Sequence, residues 1–488
     1  MTKQSQAMAA ALSAVLVFGL AMAARAASPG PDAVDAVVDA ELPSLVATYK
    51  ALHAAPELSH HEEKTSALVA SELRALGFTV TDHVGKYPER AGASPGNSPE
   101  RAGTSPGNSP ERAGTSPGAT AQPGWQGYGV VAVLNNGQGP TVLVRSDLDA
   151  LPVEEKTGLP YASTVRTKNE SGQDVAVMHA CGHDIHIASL LGTARALVAL
   201  KDRWHGTLVL VGQPAEETID GAKALLDDGL YRRIPKPDYA LALHDNSELE
   251  AGRVGWGSGY VLASSTSVDI VVRGIGSHGS RPEAGKDPVV LAAQIVLALQ
   301  TIVSRENSPL DPAVVTVGTI HGGAKRNIIP DQVVLELTVR AYREEVRRRL
   351  LAAIERIARG TALAAGLPEN LLPIVKVSET EVTGATYNDP ALTRRLAGVF
   401  VQALGAGNVV ELPPVMGSED FGRFGLDDHQ IPTCMFFVGA VDPAKVARAR
   451  QTGTPLPSLH SSLFAPLPEP TIRTAVKSMT SAVLELMQ

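Results

Sequence analysis

The chain has 488 residues, of which 44% are hydrophobic and 19% charged, so it can bury a large core, and its length predicts two or three domains. Its formal net charge is −8, and its longest run of basic residues, Arg347 to Arg349, falls on a predicted helix whose solvated face accounts for it. The composition therefore argues against a nucleic-acid partner and favours a globular protein of the size of an enzyme.

The N-terminus has the features of an export signal over residues 1–26. Lys3 precedes an apolar stretch over residues 8–24, and Ala24-Arg25-Ala26 has the small-x-small order of a cleavage site. The alternative is a membrane anchor, but the stretch is short of the roughly 20 apolar residues that a spanning helix needs. We predict cleavage before Ala27, a periplasmic or secreted mature protein, and no membrane segment after cleavage.

Residues 88–120 are three copies of an eleven-residue unit that begins with Pro-Glu-Arg-Ala-Gly. The unit is rich in Pro, Gly and Ser and nearly lacks apolar residues, which predicts a disordered surface loop. Each copy also matches the Gly-x-Ser-x-Gly pattern of serine hydrolases. Proline follows each of these serines and no apolar strand precedes it, so we reject a nucleophilic serine here.

Beyond the repeat, strands alternate with helices. The predicted elements are a strand at 141–145, a helix at 185–200, a strand at 207–211, a helix at 221–226 and a strand at 239–243. This alternation predicts an α/β catalytic domain with a mainly parallel sheet. Asp147, the pair Glu216-Glu217 and His244 each follow a strand, at the carboxyl edge where such sheets bind ligands.

From residue 264 the pattern changes to the order β-α-β-β-α-β. The predicted elements are a strand at 267–273, a helix at 288–304, strands at 313–320 and 333–342, a helix at 344–363 and a strand at 373–378. This order predicts a ferredoxin-like domain over residues 264–378, inserted as a lid or dimerisation domain. The catalytic domain is then discontinuous and consists of residues 27–263 and 379–488.

Metal-ligand chemistry is concentrated in Cys181-Gly-His183 and Glu216-Glu217, because thiolates, imidazoles and carboxylates hold zinc-like ions. Successive side chains of an extended segment point to opposite sides, so one glutamate can bind metal while the other faces substrate. A satisfied core residue explains any single histidine as well, and only the whole set favours a metal centre. Cys434 lies in an apolar segment typical of a buried strand, which argues against a disulfide and leaves Cys181 free.

The segment Gly274 to Gly279 matches a dinucleotide-binding fingerprint, but Pro282 and Pro288 interrupt the helix that this fingerprint must open. We therefore reject a nucleotide site. His278, on a flexible glycine-containing loop, is the more useful feature of this segment.

Six segments in this order resemble one family, the di-metal amidohydrolases of peptidase family M20, which include hippurate hydrolases, N-acyl-amino-acid hydrolases and auxin-conjugate (indole-acetyl-amino acid) hydrolases. The segments are Arg145 to Pro152, His179 to His186, Gln213 to Glu217, Gly276 to His278, Asn327 to Pro330 and Met416 to Phe421. The resemblance covers residues 40–488 apart from the repeat. It implies a catalytic domain that binds two divalent metal ions, most readily zinc, with manganese, cobalt or nickel as alternatives.

By this resemblance Cys181 would bridge the two metals, and further ligands would be His183, Glu217, His244 and His460. Asp149 would act behind the ligands. Glu216 would be the general base that takes a proton from the attacking water and returns it to the departing amine.

The resemblance also implies a homodimer, in which His278 reaches the neighbouring subunit's site and stabilises the oxyanion. Asn327 and Arg340 match positions that grip a substrate carboxylate. The chain departs from its relatives at Thr218-Ile219, over Asp245 to Glu248 and in the repeat.

The function that these observations favour is cleavage of N-acyl-amino acids to a carboxylic acid and an amino acid. A dipeptidase or carboxypeptidase is the alternative within the family. A non-catalytic metal- or peptide-binding protein is the alternative of another class, and the presence of Glu216 argues against it because a binding protein needs no base beside its metals.

Overall fold

A computed structural model describes residues 31–87 and 126–488. The predicted export signal and the eleven-residue repeats lie outside these residues. The helices are α1 (Pro31–Ala54), α2 (Glu63–Ala75), α3 (His183–Ala199), α4 (Gly221–Asp227), α5 (Leu230–Arg233), α6 (Pro288–Thr301), α7 (Glu344–Ala364), α8 (Pro390–Leu404), α9 (Pro443–Thr452) and α10 (Pro468–Leu486).

The strands are β1 (Thr79–Lys86), β2 (Gln126–Asn136), β3 (Thr141–Asp147), β4 (Arg166–Lys168), β5 (Asp174–Ala176), β6 (Gly206–Gln213), β7 (Tyr239–Glu250), β8 (Val254–Trp256), β9 (Gly259–Leu262), β10 (Ser264–Arg273), β11 (Ser277–His278), β12 (Ala313–Gly322), β13 (Ile328–Ile329), β14 (Gln332–Ala341), β15 (Ile374–Thr383), β16 (Thr386–Asn388), β17 (Val409–Glu411) and β18 (Thr433–Val441).

The larger sheet has the strand order β1-β2-β6-β3-β7-β18-β8-β17. Its centre, β6-β3-β7-β18, is parallel, and antiparallel strands flank this centre. Both β3 and β6 are buried along their whole length, because apolar cores cover both faces of the sheet. The predicted α/β class with a mainly parallel sheet is confirmed.

The smaller sheet has the order β12-β14-β10-β15, with α6 and α7 packed on one face. Its elements follow one another as β10-α6-β12-β14-α7-β15, which is the predicted β-α-β-β-α-β order. The last strand, β15, runs to Thr383, five residues beyond the predicted boundary at 378, because its end continues to pair with β10 at Ser265 and Thr266.

One prediction about the larger sheet is wrong in its boundary. The strand predicted to end at residue 243 runs to Glu250, so that His244 lies inside β7 rather than after it. The polar segment that follows His244 is extended because it pairs with β18, where Val438 is opposite Asp245 and Val441 is opposite Glu250. Tertiary pairing here overrides the weak strand propensity of Asp and Asn.

Helix α6 and the turn after it, Pro288–Glu306, are the part of the described chain that is long and apolar enough to cross a membrane by length and composition, with a mean hydropathy of 1.6 and 33% of the stretch buried. The buried face, which includes Leu291 and Ile295, packs into the core of the smaller sheet. Val290 and Leu297 on the other face are 55% and 73% exposed. This exposed apolar face is a candidate contact surface.

Candidate metal centre

The start of α3 presents two donors from one tight turn. Gly182, between Cys181 and His183, has a φ of +76°. A Cβ at this position would lie 2.2 Å from an oxygen of Asp245, so the turn requires glycine both for its left-handed backbone and for its space. Glycine thereby lets the thiol and the imidazole, two residues apart, reach the same cavity.

The structure brings the five predicted metal ligands together. The Sγ atom of Cys181 lies 3.6 Å from His244 Nε2 and 3.3 Å from His460 Nε2. His460 Nε2 is also 3.4 Å from Glu217 Oε2. Two donor groups result, Cys181-His183-His244 and Cys181-Glu217-His460, and the thiol belongs to both. Because the thiol belongs to both groups, Cys181 could serve as a ligand to two ions.

Glu216 and Glu217 do not extend strand β6, which ends at Gln213, but lie in a turn. Ala215, just before them, has a φ of +55°. Both carboxylates approach the same atom, because His183 Nε2 lies 3.8 Å from an oxygen of each. The expectation that they point to opposite sides of an extended segment is therefore wrong, and the turn places both in one cavity.

Asp149 contacts His183 and Glu217 from the side away from the other donors. Its backbone oxygen lies 2.8 Å from His183 Nδ1, which leaves Nε2 of that histidine directed at the cavity. Its carboxylate accepts hydrogen bonds from the Glu217 backbone N–H at 3.0 Å and from the Ser59 hydroxyl at 2.6 Å.

His186 is a supporting residue rather than a free donor. Its Nδ1 atom lies 2.7 Å from an oxygen of Asp147, and its Nε2 atom accepts the backbone N–H of Asp245 at 2.9 Å. Both ring nitrogens of His186 therefore have protein partners.

Beneath the donors, the guanidinium of Arg145 joins several carboxylates. It contacts Asp147 at 2.7 Å, Glu419 at 2.8 Å and Asp420 at 3.2 Å, and all four side chains are buried. The sequence indicated no role for Arg145, Glu419 or Asp420, and it placed Asp147 only at the ligand-binding edge of the sheet. A charged residue inside the apolar strand Thr141–Asp147 was the available signal, because a buried arginine needs partners.

Burial shapes the proton affinity of the centre. It raises the pKa of the Cys181 thiol well above its ordinary value and raises the pKa of Glu217 to about 8. Burial, with the neighbouring carboxylates of Glu419 and Glu217, also raises the pKa of Glu216 well above its usual range. These groups therefore favour their neutral forms until a cation compensates them.

The donor set fits metal ions. His183 Nε2 and Glu217 Oε1 are buried and have no hydrogen-bond partner among the described residues, which costs about 1–3 kcal/mol per group. Within the two donor groups, separations of 3.3, 3.4 and 3.6 Å suit ligands that share one ion. A thiol, imidazoles and a carboxylate are also the donor types of zinc sites.

The donors open onto a cavity of about 680 Å³ between the two sheets. Arg340 lines the cavity and donates a hydrogen bond to the backbone oxygen of Met416 at 2.9 Å. His278 and Asn327 do not line it. Both are exposed and adjoin each other, since the Gly279 backbone N–H donates to the Asn327 oxygen at 2.8 Å. Of the residues predicted to contact substrate outside the metal centre, only Arg340 lies at this cavity.

A thiol shared between two donor groups, a neighbouring carboxylate and a cavity at the carboxyl edge of an α/β sheet together define a metallohydrolase of the dinuclear class. Residues 143–452 match peptidase family M20/M25/M40, and the chain belongs to this family.

The relatives agree with this assignment. The chain is similar to thermostable carboxypeptidase 1 of Saccharolobus solfataricus, 33% identical over 415 residues that cover 85% of this chain and 88% of that protein. It is 34% identical to hippurate hydrolase of Campylobacter jejuni over 375 residues, which cover 76% and 82% of the two chains. The crystal structure of the YXEP protein of Bacillus subtilis, a dinuclear metal-binding peptidase of the M20 family, matches with a TM-score of 0.65 at 24% identity and covers 92% of this chain and 99% of that one. The protein is thus a metal-dependent amidohydrolase that acts on C–N bonds, as the sequence predicted.

Proposed function

We propose that the protein cleaves the amide bond of N-acyl-amino acids, of the hippurate type or related, to a carboxylic acid and a free amino acid. The observation that carries this proposal is one cavity lined by the donors Cys181 and His460, by Glu216 and by Arg340. Arg340 is the only lysine or arginine among the described residues that line the cavity, and a guanidinium suits a substrate carboxylate.

In this mechanism Glu216 moves the proton. Two divalent ions, when bound, polarise an amide carbonyl and make a water molecule more acidic. Glu216, which lines the cavity beside the donors, takes the proton from that water and gives it to the departing amine. Arg340 orients the substrate by its carboxylate. We also propose that the metal is zinc, because the thiolate of Cys181 is a ligand that zinc prefers.

A carboxypeptidase activity is the second candidate, and the similarity to thermostable carboxypeptidase 1 favours it. The two candidates differ in the group on the acyl side of the scissile bond. We expect hippurate and N-acetyl-methionine to be hydrolysed with a higher kcat/KM than Gly-Gly-type dipeptides, measured by amine release. Amides that lack the carboxylate are the control, because Arg340 would have nothing to bind. A higher kcat/KM for dipeptides or N-blocked peptides than for N-acyl-amino acids would instead support the carboxypeptidase activity.

The outer part of the cavity is acidic. Glu248 and Glu381 line it, and neither carboxylate has a hydrogen-bond or ion-pair partner in the described ranges. We expect N-acyl-amino acids with basic side chains to be preferred, so that Nα-benzoyl-lysine has a higher kcat/KM than N-benzoyl-glutamate. The ratio should shrink in the Glu248→Gln/Glu381→Gln double variant. An unchanged ratio would show that these carboxylates do not select the side chain.

We also propose a homodimer in which His278 serves the neighbouring subunit. His278 is exposed on β11 and does not line the cavity of its own chain, and α6 of the same domain carries an exposed apolar face. A second copy of the chain would cover this face and receive the imidazole at its metal centre. Export to the periplasm or the medium belongs to the proposal as well and is supported by the N-terminal sequence.

Mixing two inactive variants tests this dimer. His278→Ala and Glu216→Ala should each be inactive alone, whereas co-refolded mixtures should recover about a quarter of wild-type activity, because half of the dimers are mixed and each has one intact site. Size-exclusion chromatography with light scattering gives the oligomeric state. A dimer whose mixture recovers no activity would contradict a role for His278 in the neighbouring site.

A further inference from the structure

A short segment between α1 and α2 holds the turn that carries Glu216 and Glu217. We call Ser59, His60 and Glu62 the brace. Glu62 is fully buried, and its Oε1 atom accepts the backbone N–H groups of His60 at 2.9 Å and Ala215 at 2.8 Å. Ala215 directly precedes Glu216, so a single carboxylate oxygen joins the brace to the start of the catalytic turn.

The two backbone groups that Glu62 binds belong to residues in an unfavourable conformation. His60 has a φ of +67° and Ala215 a φ of +55°, and neither is glycine. Residues that carry a Cβ rarely adopt this left-handed backbone conformation, and they keep it only where the surrounding structure stabilises it. The Glu62 carboxylate binds the backbone N–H groups of both residues. The strained backbone of Ala215 is therefore associated with one specific hydrogen bond.

The other members of the brace hold the same turn further along. Ser59 donates to the Asp149 carboxylate oxygen that also accepts the Glu217 N–H. His60 Nε2 lies 3.1 Å from an oxygen of Asp220. The turn therefore has contacts to the brace before Glu216, at Glu217 and again at Asp220. Capping of helix α2 alone would not require contacts to this distant turn.

Glu62 occupies the N-cap position of α2, but its side chain makes no capping hydrogen bond there. Glu57 performs the corresponding task, because its carboxylate accepts the backbone N–H and the hydroxyl of Thr65 in the first turn. The Glu62 side chain crosses to a different element, which separates its role from the stability of its own helix.

We propose that Glu62 is a positioning residue, which fixes the backbone at Ala215 so that the Glu216 carboxylate is aimed at the reacting groups and Glu217 at the metals. The proposal rests on the proposed roles of Glu216 and Glu217. It differs from a general contribution to folding because it acts through an acceptor oxygen and not through charge or volume.

Three variants test the proposal. Glu62→Gln keeps the acceptor oxygen, whereas Glu62→Met keeps the approximate volume and removes it. We expect Glu62→Met to lower kcat by about 100-fold with KM within about threefold, because small displacements of catalytic groups have effects of this size. Glu62→Gln should keep most of the wild-type kcat. Ala215→Gly added to Glu62→Met should recover part of the lost kcat, since glycine adopts a positive φ without support.

The controls separate positioning from folding and from the substrate assignment. Glu57→Met should lower the Tm and leave kcat unchanged. The absorption spectrum of the cobalt-loaded protein reports on Glu217 without any substrate, and it should change in Glu62→Met but not in Glu62→Gln. Absence of turnover in the wild type would overturn the proposed function, while this spectrum would still decide the role of Glu62.

Two results would overturn the positioning role. One is a Glu62→Met protein with two metals per chain and both the kcat and the cobalt spectrum of the wild type. The other is a Glu62→Gln protein as impaired as Glu62→Met, since charge rather than hydrogen-bond geometry would then be responsible. If Glu62→Met does not fold, Glu62→Gln still decides the question, since a loss of kcat in this variant would show that charge and not the acceptor oxygen is responsible.

Discussion

Glu216→Gln is expected to lower kcat for an N-acyl-amino acid by about 100- to 10,000-fold while two metal ions remain bound. The amide keeps the shape of the carboxyl but cannot take a proton from water. Because Glu216 lines the cavity beside the donors, removal of its acid–base function should affect the chemical step and leave KM nearly unchanged. Stopped assays of amine release and metal analysis of the same preparation measure both quantities.

The adjacent residue is the matched control. Glu217→Gln should lose an ion, because Glu217 Oε2 lies 3.4 Å from His460 Nε2 within one of the two donor groups. Two neighbouring glutamates then give two different defects, one in catalysis and one in metal content. If Glu216→Gln lost metal and Glu217→Gln kept both ions, the assigned roles would be reversed.

Cys181→Ala is expected to weaken metal binding by more than about 100-fold, which exceeds the 10- to 100-fold typical of changes behind the ligands. Cys181 is the donor shared by the two groups, so its removal affects both ions at once. Inductively coupled plasma analysis after dialysis should find fewer than about one ion per chain.

Cys434→Ala is the control for this change. Cys434 is also free and buried, but it lies in β18 and packs in the apolar core. We expect this variant to retain both ions and to lose only stability, by a few kcal/mol at most, as a small core truncation does. Equal metal loss in the two cysteine variants would show that Cys181 acts through the fold and not as a ligand.

The candidate donors could be named from the sequence because short motifs carry them and because these motifs together resemble those of one family. Cys181 and His183 are two residues apart, and strand periodicity placed Asp147 and the Glu216 pair at the same sheet edge. The ferredoxin-like order of the inserted domain followed from the same periodicity. In each case the information is local along the chain, and the rules of sheet topology extend it to three dimensions.

The errors and omissions have a common physical cause, which is contact between distant segments. Strand β7 continues past His244 because β18 pairs with it, although the local sequence is polar. Ala215 has a positive φ, and the side chain that binds its N–H, Glu62, is 153 residues away. Contacts between residues so far apart in the chain cannot be predicted from local sequence patterns.

The most direct test of the dinuclear amidohydrolase is a zinc titration of the metal-free protein with hippurate hydrolysis as the readout. The arrangement of Cys181, His183, Glu217, His244 and His460 predicts no hydrolysis without metal and an increase that saturates at two ions per chain. Hydrolysis that persists after complete metal removal would contradict this account. So would a protein that binds two ions per chain and hydrolyses neither hippurate, other N-acyl-amino acids nor dipeptides.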